Sequence, residues 1–419
     1  MSEIPKTNRP ARLLLSPSRR QFIVGASGLV LSTVSSGELI ARGTLEYDVP
    51  YDPRKVPGRP ANEDGGYGTR SQFAKGRRTG GASWAMTPIQ HLYGTITPSA
   101  LHYCIHHAGI PTIDPQRHRL YIHGMVVRER ELSMEHILRL PRVTRTHFLE
   151  CAGNTFFEWK GPQYNDVQMT HGQMSNTEWT GVPLKLILKE VGVDPRATWV
   201  IAEGADAAVM SRSIPLSKCM DDAMLAFGQN GEELRPEQGF PLRLLLPGFE
   251  GNTNIKWLRR LQLTDKPHMT RMETRGYTDL LANGKARQFS FIMEAKSVIT
   301  FPSAPMVLDG PGFYEISGLA WSGNGRITKV QVSANAGKHW VDAQMEGPVL
   351  SKAFVRFRVP WQWDGTPAVL QSRCVDNTGY VQPTLKQLVA VRGLNSVDHN
   401  NAIQQWAVSA KGEVSNVQV

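Results

Sequence analysis

The sequence predicts an α+β domain followed by an immunoglobulin-like β-sandwich. A chain of 419 residues is too long for one hydrophobic core, and 41% hydrophobic residues suffice for two compact domains. Residues 90–268 alternate short apolar segments with short helical patterns, which indicates mixed secondary structure. From Gly312 onward, strand patterns separated by turn residues recur at the spacing typical of a β-sandwich.

The first 45 residues predict a twin-arginine export signal, and therefore a periplasmic protein. Arg19 and Arg20 directly precede a weakly apolar run over residues 23–34. This run is too short to cross a bilayer stably, because a spanning helix needs about 20 apolar residues. A basic disordered tail is the alternative interpretation. Residues 46–89 are rich in Pro, Gly and Arg and predict an extended N-terminal arm.

Local patterns place the elements of the two predicted domains. In the first domain, residues 143–150 predict a strand, residues 133–140 a helix with Ser133 as its N-cap, and residues 184–191 a helix that ends before Gly192. Residues 269–295 predict a polar connector, and residues 296–419 the β-sandwich. The strands predicted for the sandwich are 313–321, 326–333, 338–345, 353–361, 368–375 and 386–392.

Charge and cysteine usage argue against nucleic-acid binding and against covalent haem attachment. The formal net charge is +10, but the sequence contains no dense basic block, so we do not expect nucleic-acid binding. No cysteine lies in a C-x-x-C-H pattern, so we expect no covalent haem in this chain. The spacing of Cys104, Cys219 and Cys374 fits either buried thiols or a disulfide after export.

The fourth cysteine, Cys151, is the strongest candidate functional residue. It follows the predicted strand 143–150 and precedes Ala152, Gly153 and Asn154, small residues that tolerate tight backbone geometry. A thiol at the end of a strand, facing a glycine-containing loop, is accessible to a bulky ligand. The alternative interpretation is a buried and inert thiol, which is the common state of a free cysteine.

The sequence around Cys151 resembles the metal-binding loop of the sulfite oxidase family of molybdopterin enzymes. This loop is Phe148-Leu149-Glu150-Cys151-Ala152-Gly153-Asn154. Further motifs of the same family follow in the same order, and ordered motifs are far more specific than any one of them. These motifs are Asn176-Thr177-Glu178-Trp179-Thr180-Gly181-Val182-Pro183-Leu184, Gly239-Phe240-Pro241-Leu242-Arg243, Asn254-Ile255-Lys256-Trp257-Leu258 and Ile316-Ser317-Gly318-Leu319-Ala320-Trp321-Ser322-Gly323.

The resemblance implies a molybdenum–molybdopterin cofactor and a homodimer formed through the second domain. Cys151 would be the thiolate ligand of the metal and Tyr277 a catalytic phenol beside it. The remaining cofactor-binding positions that the resemblance implies are His107, Asn154, Asp206, Gln238, Arg243 and Lys256. Arg243 and Lys256 would bind the cofactor phosphate.

Each of these residues also has an ordinary structural interpretation. Arg243 and Lys256 are alternatively solvated charges beside strands, although Arg243 lies inside an apolar run where an unpaired charge is costly. His107 is alternatively a hydrogen-bonded structural histidine. Tyr277 is alternatively an exposed tyrosine of the connector.

The sequence departs from the sulfite oxidase pattern at the positions that bind the free anion. Ile105 and Phe156 replace arginines of the family, residues 397–405 contain no arginine, and Met169 replaces a tryptophan. A small dianion depends on such charge-assisted hydrogen bonds. The resulting pocket, with Phe157 also nearby, is expected to be more apolar.

This combination resembles the sulfane dehydrogenases of the family. It implies oxidation of a sulfane sulfur held on the cysteine of a carrier protein during thiosulfate oxidation. It also implies electron transfer to a separate c-type cytochrome subunit, expected to carry two haems. The alternatives are a sulfite dehydrogenase, a molybdopterin reductase acting on oxidised methionine, and a non-catalytic binding module in which Cys151 is structural.

Overall fold

The computed structural model of the protein describes residues 67–419. The predicted export signal and residues 46–66 of the predicted arm lie outside these described residues. The contacts divide the chain between Gln72 and Phe73, and the elements below all belong to the unit Phe73–Val419. Within residues 67–419, no helix combines the length and the apolar character needed to span a membrane.

A five-stranded mixed sheet forms one side of the first domain. In spatial order its strands are β5 (Arg130–Ser133), β4 (Arg119–Gly124), β13 (Leu258–Thr264), β8 (Trp199–Gly204) and β9 (Ser211–Pro215). Strands β4 and β13 run parallel to each other, and the other neighbouring pairs run antiparallel. Leu120, Ile122, Leu261 and Leu263 alternate along β4 and β13, and all four are fully buried. Alternation of this kind directs one face of a sheet into the core.

Helices α1 (Met134–Leu138), α3 (Leu184–Val191) and α4 (Leu216–Asp221) cover the buried face of this sheet and contribute side chains to the core around β4 and β13. Helix α2 (Val167–His171) lies elsewhere, and its Val167 belongs to the core of the second domain. Ser133 caps α1 with a capping box, as its sequence predicts. Helix α3 ends at Gly192, whose φ of 69° is easily adopted by glycine. Both predicted helices are therefore confirmed, α1 with a C-terminus two residues earlier than predicted.

A second sheet presents Cys151 at its end. In spatial order its strands are β11 (Glu232–Glu233), β10 (Met224–Gln229), β7 (Met174–Pro183) and β6 (Val143–Glu150). Strand β12 (Arg243–Leu245) also pairs with β10, on the edge opposite β7. Strand β6 occupies the predicted range and ends directly before Cys151. A small neighbouring sheet consists of β1 (Thr79–Gly80), β2 (Trp84–Met86) and β3 (Cys104–Ile105).

The predicted connector contains regular structure. Residues 269–295 include α5 (Arg271–Arg275) and a hairpin of β14 (Thr278–Leu280) with β15 (Ala286–Gln288). A capping box at Thr270 and Glu273 begins the helix. The hairpin follows Tyr277 directly, so this segment positions a candidate site residue.

Two sheets that share one core form the second domain. The first contains β16 (Lys296–Phe301), β17 (Gly312–Trp321), β21 (Val355–Trp363) and β20 (Gln344–Met345). The second contains β19 (Val341–Asp342), β18 (Ile327–Ser333), β22 (Ala368–Asp376), β23 (Gln405–Val408) and β24 (Val414–Val417). Trp321 from the first sheet and Trp406 from the second are fully buried in the same cluster. The predicted β-sandwich is confirmed.

One predicted sandwich strand is wrong. Residues 386–392 lie in the helix α6 (Leu385–Arg392), which Thr384 and Gln387 cap reciprocally. The mixture of apolar and polar residues fits a short strand, but the capping box favours a helix at this position. Strands β16, β23 and β24, which the sequence analysis did not predict, complete the two sheets.

The core of the second domain continues into β6, the strand that ends directly before Cys151. Phe148 on β6 belongs to the same buried cluster as Trp321, and its ring lies 6.2 Å from that of Phe354. The backbone N–H of Phe148 also donates to the carbonyl of Lys352 at 3.0 Å. Packing between the two domains therefore fixes the end of β6.

Candidate active site

An open cavity with about 680 Å³ of space, including the part that is open to solvent, lies beside Cys151. The walls come from parts of the chain that are distant in sequence: residues 102–107, the end of β6, residues 251–257 and Tyr277. The first domain therefore brings several of the predicted site residues to one place.

Cys151 lies at the start of a tight turn with a glycine packed against it. Its backbone N–H donates to the carbonyl of Gln173 at 2.9 Å, and its carbonyl accepts from the N–H of Asn154 at 2.9 Å. A Cβ atom at Gly251 would lie 3.3 Å from the Cα of Cys151 and 2.6 Å from the hydroxyl of Tyr103. A larger residue at 251 would therefore displace the wall beside the thiol.

The thiol is half-buried, and burial raises its pKa to about 12. The free protein therefore keeps Cys151 as a thiol at neutral pH. A metal ion reverses this preference, because it stabilises the thiolate directly. Without a metal, Cys151 is thus an unreactive thiol. With one, it is a suitable ligand for a soft metal centre.

A buried network holds the residue before Cys151. The carboxylate of Glu150 accepts from Lys296 Nζ at 2.9 Å and from the indole N–H of Trp321 at 2.6 Å. Lys296 and Trp321 lie on β16 and β17 of the second domain. Because buried charges are stable only when they are paired and hydrogen-bonded, this network fixes the position of the loop.

Asn154 belongs to the same network and not to the cavity wall. Its side-chain amide donates to Glu150 at 2.9 Å, and its side-chain oxygen accepts from the N–H of Gln173 at 3.2 Å. Its side chain is buried, and it does not line the cavity. The structure therefore places this predicted cofactor-binding residue where it shapes the turn after Cys151.

Arg243 and Lys256 form a cationic wall. Arg243 donates to the carbonyls of Gln238 and Asn254, at 2.9 and 3.2 Å, and Lys256 donates to those of Ile105 and Glu237, at 2.9 and 3.0 Å. Among residues 67–419, no carboxylate lies within ion-pair distance of either side chain. The two charges are therefore held in place without a counter-charge.

Burial weakens the proton affinity of both side chains. It lowers the pKa of Arg243 to about 10, and burial followed by repulsion from Arg243 lowers the pKa of Lys256 to about 8, so both side chains are still mostly charged at neutral pH. An anionic group placed between the two side chains would raise both pKa values. The wall therefore has the properties expected of a site for a phosphate.

The other predicted residues complete the lining. Gln238 donates from its amide to the carbonyl of Tyr103 at 2.9 Å. Asp206 accepts from the N–H of Met210 at 3.1 Å, and burial lowers the pKa of the nearby His107, so that this imidazole is neutral. All of these residues line the cavity.

Tyr277 lines the cavity on the side of α5 and β14. The guanidinium carbon of Arg212 lies 4.9 Å from the centre of its ring, a cation–π contact. Burial raises the pKa of the phenol well above its ordinary value. Tyr277 is therefore protonated at neutral pH and is available as a hydrogen-bond donor.

Some buried polar atoms of the residues that line this cavity have no hydrogen-bond partner, and they indicate what kind of ligand would fit. Arg243 Nε and His102 Nε2 are buried and have no hydrogen-bond partner within residues 67–419. These residues line the cavity. Unpartnered buried polar atoms are rare in folded proteins, so they indicate a ligand rich in hydrogen-bonding groups. A pterin with a phosphate has that chemistry.

Of the four residues predicted to make the pocket apolar, one lines this cavity. Ile105 lines it, whereas Phe156, Phe157 and Met169 do not. A ring carbon of Phe156 would lie 3.9 Å from a Cβ atom at Gly153, and Gly153 does not line the cavity either. Sequence reasoning missed His102, Tyr103 and Asn252, although Asn252 lies only two residues before the motif that starts at Asn254.

Two protein families match this chain. The oxidoreductase molybdopterin-binding domain matches residues 107–272, and the Mo-co oxidoreductase dimerisation domain matches residues 287–406. The first match contains Cys151 and the cationic wall. The second contains the β-sandwich strands from β17 to β22.

The relatives include oxidases and reductases. Mitochondrial sulfite oxidase of Drosophila melanogaster is 33% identical over 270 residues, which cover 60% of this chain and 47% of that protein. An NADH nitrate reductase of Ulva prolifera is 30% identical over 282 residues, which cover 59% of this chain and 32% of the reductase. The chain thus spans less than half the length of these relatives.

A solved structure matches nearly the whole chain. The crystal structure of the sulfane dehydrogenase SoxCD from Paracoccus pantotrophus superposes with a TM-score of 0.84 at 47% sequence identity. The match covers 90% of this chain and 98% of the solved one. The two family matches and this structural match agree in fold and domain order, and the chain belongs to the sulfite oxidase family of molybdopterin enzymes.

Proposed function

We propose that this protein oxidises a sulfane sulfur attached to the cysteine of a carrier protein, as a step of thiosulfate oxidation. In this proposal the electrons pass to a c-type cytochrome subunit with two haems, and the chain forms a homodimer through its second domain. Export to the periplasm by the twin-arginine route is part of the same proposal. The 47% identity to a solved sulfane dehydrogenase supports it.

The distribution of charge around the cavity carries the proposal. Within the described residues, the Arg and Lys side chains that line the cavity are Arg243 and Lys256. Both are committed to one wall by hydrogen bonds to carbonyls, and that wall suits the cofactor phosphate. Ile105 adds an apolar side chain beside them. A free sulfur oxyanion would therefore find no further fixed cation in the cavity lining.

The residues of the chain have separate roles in this reaction. Cys151 would ligate the metal, Arg243 and Lys256 would hold the phosphate, and Gln238 would orient the pterin side of the cavity. When bound, the molybdenum–molybdopterin group supplies the two-electron oxidation of the sulfur. Tyr277 would donate a hydrogen bond toward the reacting centre, and the neutral imidazole of His107 can accept a proton.

Steady-state kinetics on the molybdenum-loaded protein tests the proposal. We expect carrier-bound sulfane to be oxidised with a kcat/KM at least about 100-fold above that of free sulfite, with cytochrome c reduction as the readout. The Cys151→Ala variant gives the background rate. Efficient turnover of sulfite alone would instead favour a sulfite dehydrogenase and overturn the proposal.

A substitution in the cavity tests the reason for this preference. Ile105→Arg adds a guanidinium at the lining, so we expect the KM for sulfite to fall by about tenfold. Ile105→Met, which keeps the apolar character, is the matched control. An unchanged KM for sulfite in the arginine variant would show that the missing cation does not determine specificity.

A further inference from the structure

A fully buried arginine, Arg212, lies against the ring of Tyr277, the tyrosine that lines the cavity. Its guanidinium carbon lies 4.9 Å from the centre of that ring. Arg212 comes from β9 of the mixed sheet, whereas Tyr277 lies between α5 and β14. Arg212 does not line the cavity itself. It contacts the cavity lining through the tyrosine ring.

The side chain of Tyr277 has little else to fix its direction. Its backbone N–H donates to the carbonyl of Met272 at 3.1 Å, which fixes the main chain after α5. Within residues 67–419, its hydroxyl group makes no hydrogen bond and no second aromatic ring contacts its ring. Tyr277 is also not a member of the buried apolar clusters of this part of the chain. The orientation of the ring therefore depends on the contact with Arg212.

Two buried carboxylates hold the guanidinium of Arg212. Its Nη2 atom lies 3.2 Å from the carboxylate of Glu250, and its Nε atom lies 3.5 Å from that of Glu273. Glu273 is fixed in turn, because it accepts from the hydroxyl of Ser213 at 3.1 Å and from the N–H of Thr270 at 3.0 Å. A buried network of this kind restricts its members to one arrangement. The cation behind the ring is therefore rigidly placed.

The ring compensates for a partner that the guanidinium lacks. Arg212 Nη1 is buried and has no hydrogen-bond partner in the described part of the chain. A buried charge is costly when its donors are unpaired. The face of an aromatic ring carries negative potential and attracts a cation at this distance. The contact thus favours the ring position that covers the guanidinium.

We propose that Arg212 is a positioning residue that holds the ring of Tyr277 so that its hydroxyl faces the cavity. A guanidinium is planar and can stack on an aromatic ring, whereas a lysine ammonium is a compact charge without a plane. In this role Arg212 transfers no proton and touches no substrate. The assignment rests on the proposed function only for the reaction that Tyr277 serves.

Arg212→Lys removes the planar group and keeps a cation between Glu250 and Glu273. We expect the kcat of the molybdenum-loaded protein to fall about tenfold with carrier-bound sulfane, because a small displacement of a catalytic group lowers turnover. The KM should stay unchanged, since Arg212 does not bind the substrate. Arg196→Lys is the matched control, because Arg196 is exposed and pairs with Asp194 at 2.8 Å. It should keep the kcat of the wild type.

A double-mutant cycle with Tyr277→Phe separates positioning from a general structural effect. If Arg212 acts through the hydroxyl of Tyr277, its replacement has no further effect once that hydroxyl is gone. The double variant should therefore have a kcat within about twofold of that of Tyr277→Phe. Arg212→Gln, which is shorter and uncharged, is the second variant and should behave in the same way. An equal fall of kcat in both backgrounds, or an unchanged kcat in Arg212→Lys, overturns the assignment.

A measurement without turnover follows the ring directly. With 3-fluorotyrosine at position 277 of the oxidised, molybdenum-loaded protein, we expect the fluorine resonance to move toward that of an exposed fluorotyrosine in Arg212→Lys but not in Arg196→Lys. An identical resonance in all three proteins overturns the positioning role. Circular dichroism and molybdenum content establish that each variant is folded and loaded. A wild type that fails to oxidise carrier-bound sulfane overturns the proposed function, whereas the fluorine comparison still decides the role of Arg212.

Discussion

Lys296 donates a 2.9 Å hydrogen bond to Glu150, the residue directly before Cys151, and both side chains are buried. The same ammonium group donates to the hydroxyl of Thr155 at 2.6 Å. Lys296 belongs to the second domain, whereas Glu150 ends a strand of the first. The domain that matches a dimerisation family therefore also supports the candidate metal ligand.

Removing this lysine should destabilise the protein and impair cofactor binding. Lys296→Met leaves the carboxylate of Glu150 buried without its cation, and breaking a buried pair typically costs about 3–5 kcal/mol. We expect a loss of that size in urea unfolding of the cofactor-free protein, together with a lower molybdenum content. Lys329→Met is the control, because its pair with Asp342 is exposed and contributes about 1 kcal/mol or less. Equal behaviour of the two variants would contradict the role of Lys296.

Replacing Cys151 should remove activity without unfolding the chain. Serine offers a harder oxygen ligand in place of a thiolate, so Cys151→Ser should lower turnover by at least about 100-fold. The visible absorption that a thiolate gives to the loaded protein should also disappear. Cys374→Ala, in the core of the second domain, is the control and should keep normal specific activity. Retained turnover in Cys151→Ser would show that the thiolate is not the metal ligand.

If Arg243 and Lys256 bind the cofactor phosphate, Lys256→Met should weaken cofactor binding but stabilise the cofactor-free protein. Lys256→Met removes a desolvated charge that has no carboxylate partner, and it also removes a donor for the phosphate. We expect about tenfold less bound pterin, measured by fluorescence after oxidation, and a more stable cofactor-free protein. Lys411→Met, at an exposed position, should change neither quantity. Unchanged pterin content in Lys256→Met would exclude this wall as the phosphate site.

The same lysine predicts a pH dependence. Its folded pKa of about 8 lies below the ordinary value of 10.5, so the unfolded chain binds more protons between these values. The cofactor-free protein should therefore gain stability as the pH rises through this window, by an amount on the order of 3 kcal/mol. Lys256→Met should abolish that gain. Urea unfolding of the variant and the wild type across the window measures the difference.

Local patterns were sufficient for the elements that present the site. The apolar spacing of residues 184–191, closed by Gly192, predicts α3, and the β-branched residues of 143–150 predict β6. The clustering of Arg243 and Lys256 follows from the family resemblance and not from spacing. The apolar and polar residues of 386–392 predict a strand, whereas the structure has helix α6, which the reciprocal cap of Thr384 and Gln387 stabilises.

The long-range contacts were not accessible to local patterns. Glu150 and Lys296 are 146 positions apart, and nothing in either segment specifies the pairing. Asn154 has the same sequence context whether it faces a cofactor or a buried carboxylate. Asp398 is one acidic residue in a polar stretch until the fold places it against Gly153. Such contacts depend on how the domains pack, which a single sequence does not reveal.

His399 predicts a second pH dependence, with the opposite sign. Burial lowers its pKa, but the carboxylates of Glu250, at 2.9 Å, and Glu294, at 3.7 Å, raise it more, to about 10. The ordinary value is 6.5, so the folded state holds a proton that the unfolded chain releases between these values. The stabilisation is complete below pH 6.5 and is lost as the pH rises through 10.

His399→Gln keeps a hydrogen-bond donor but not the charge, so it should be less stable than the wild type by about 3–5 kcal/mol at pH 6. Urea unfolding at pH 6, 8 and 10 should show this difference shrinking toward zero. His339→Gln, at an exposed position of the second domain, should show no such trend. A difference that stays constant from pH 6 to pH 10 would mean that His399 is neutral in the fold. In that case the carboxylate of Glu250 would be paired with the guanidinium of Arg212 alone.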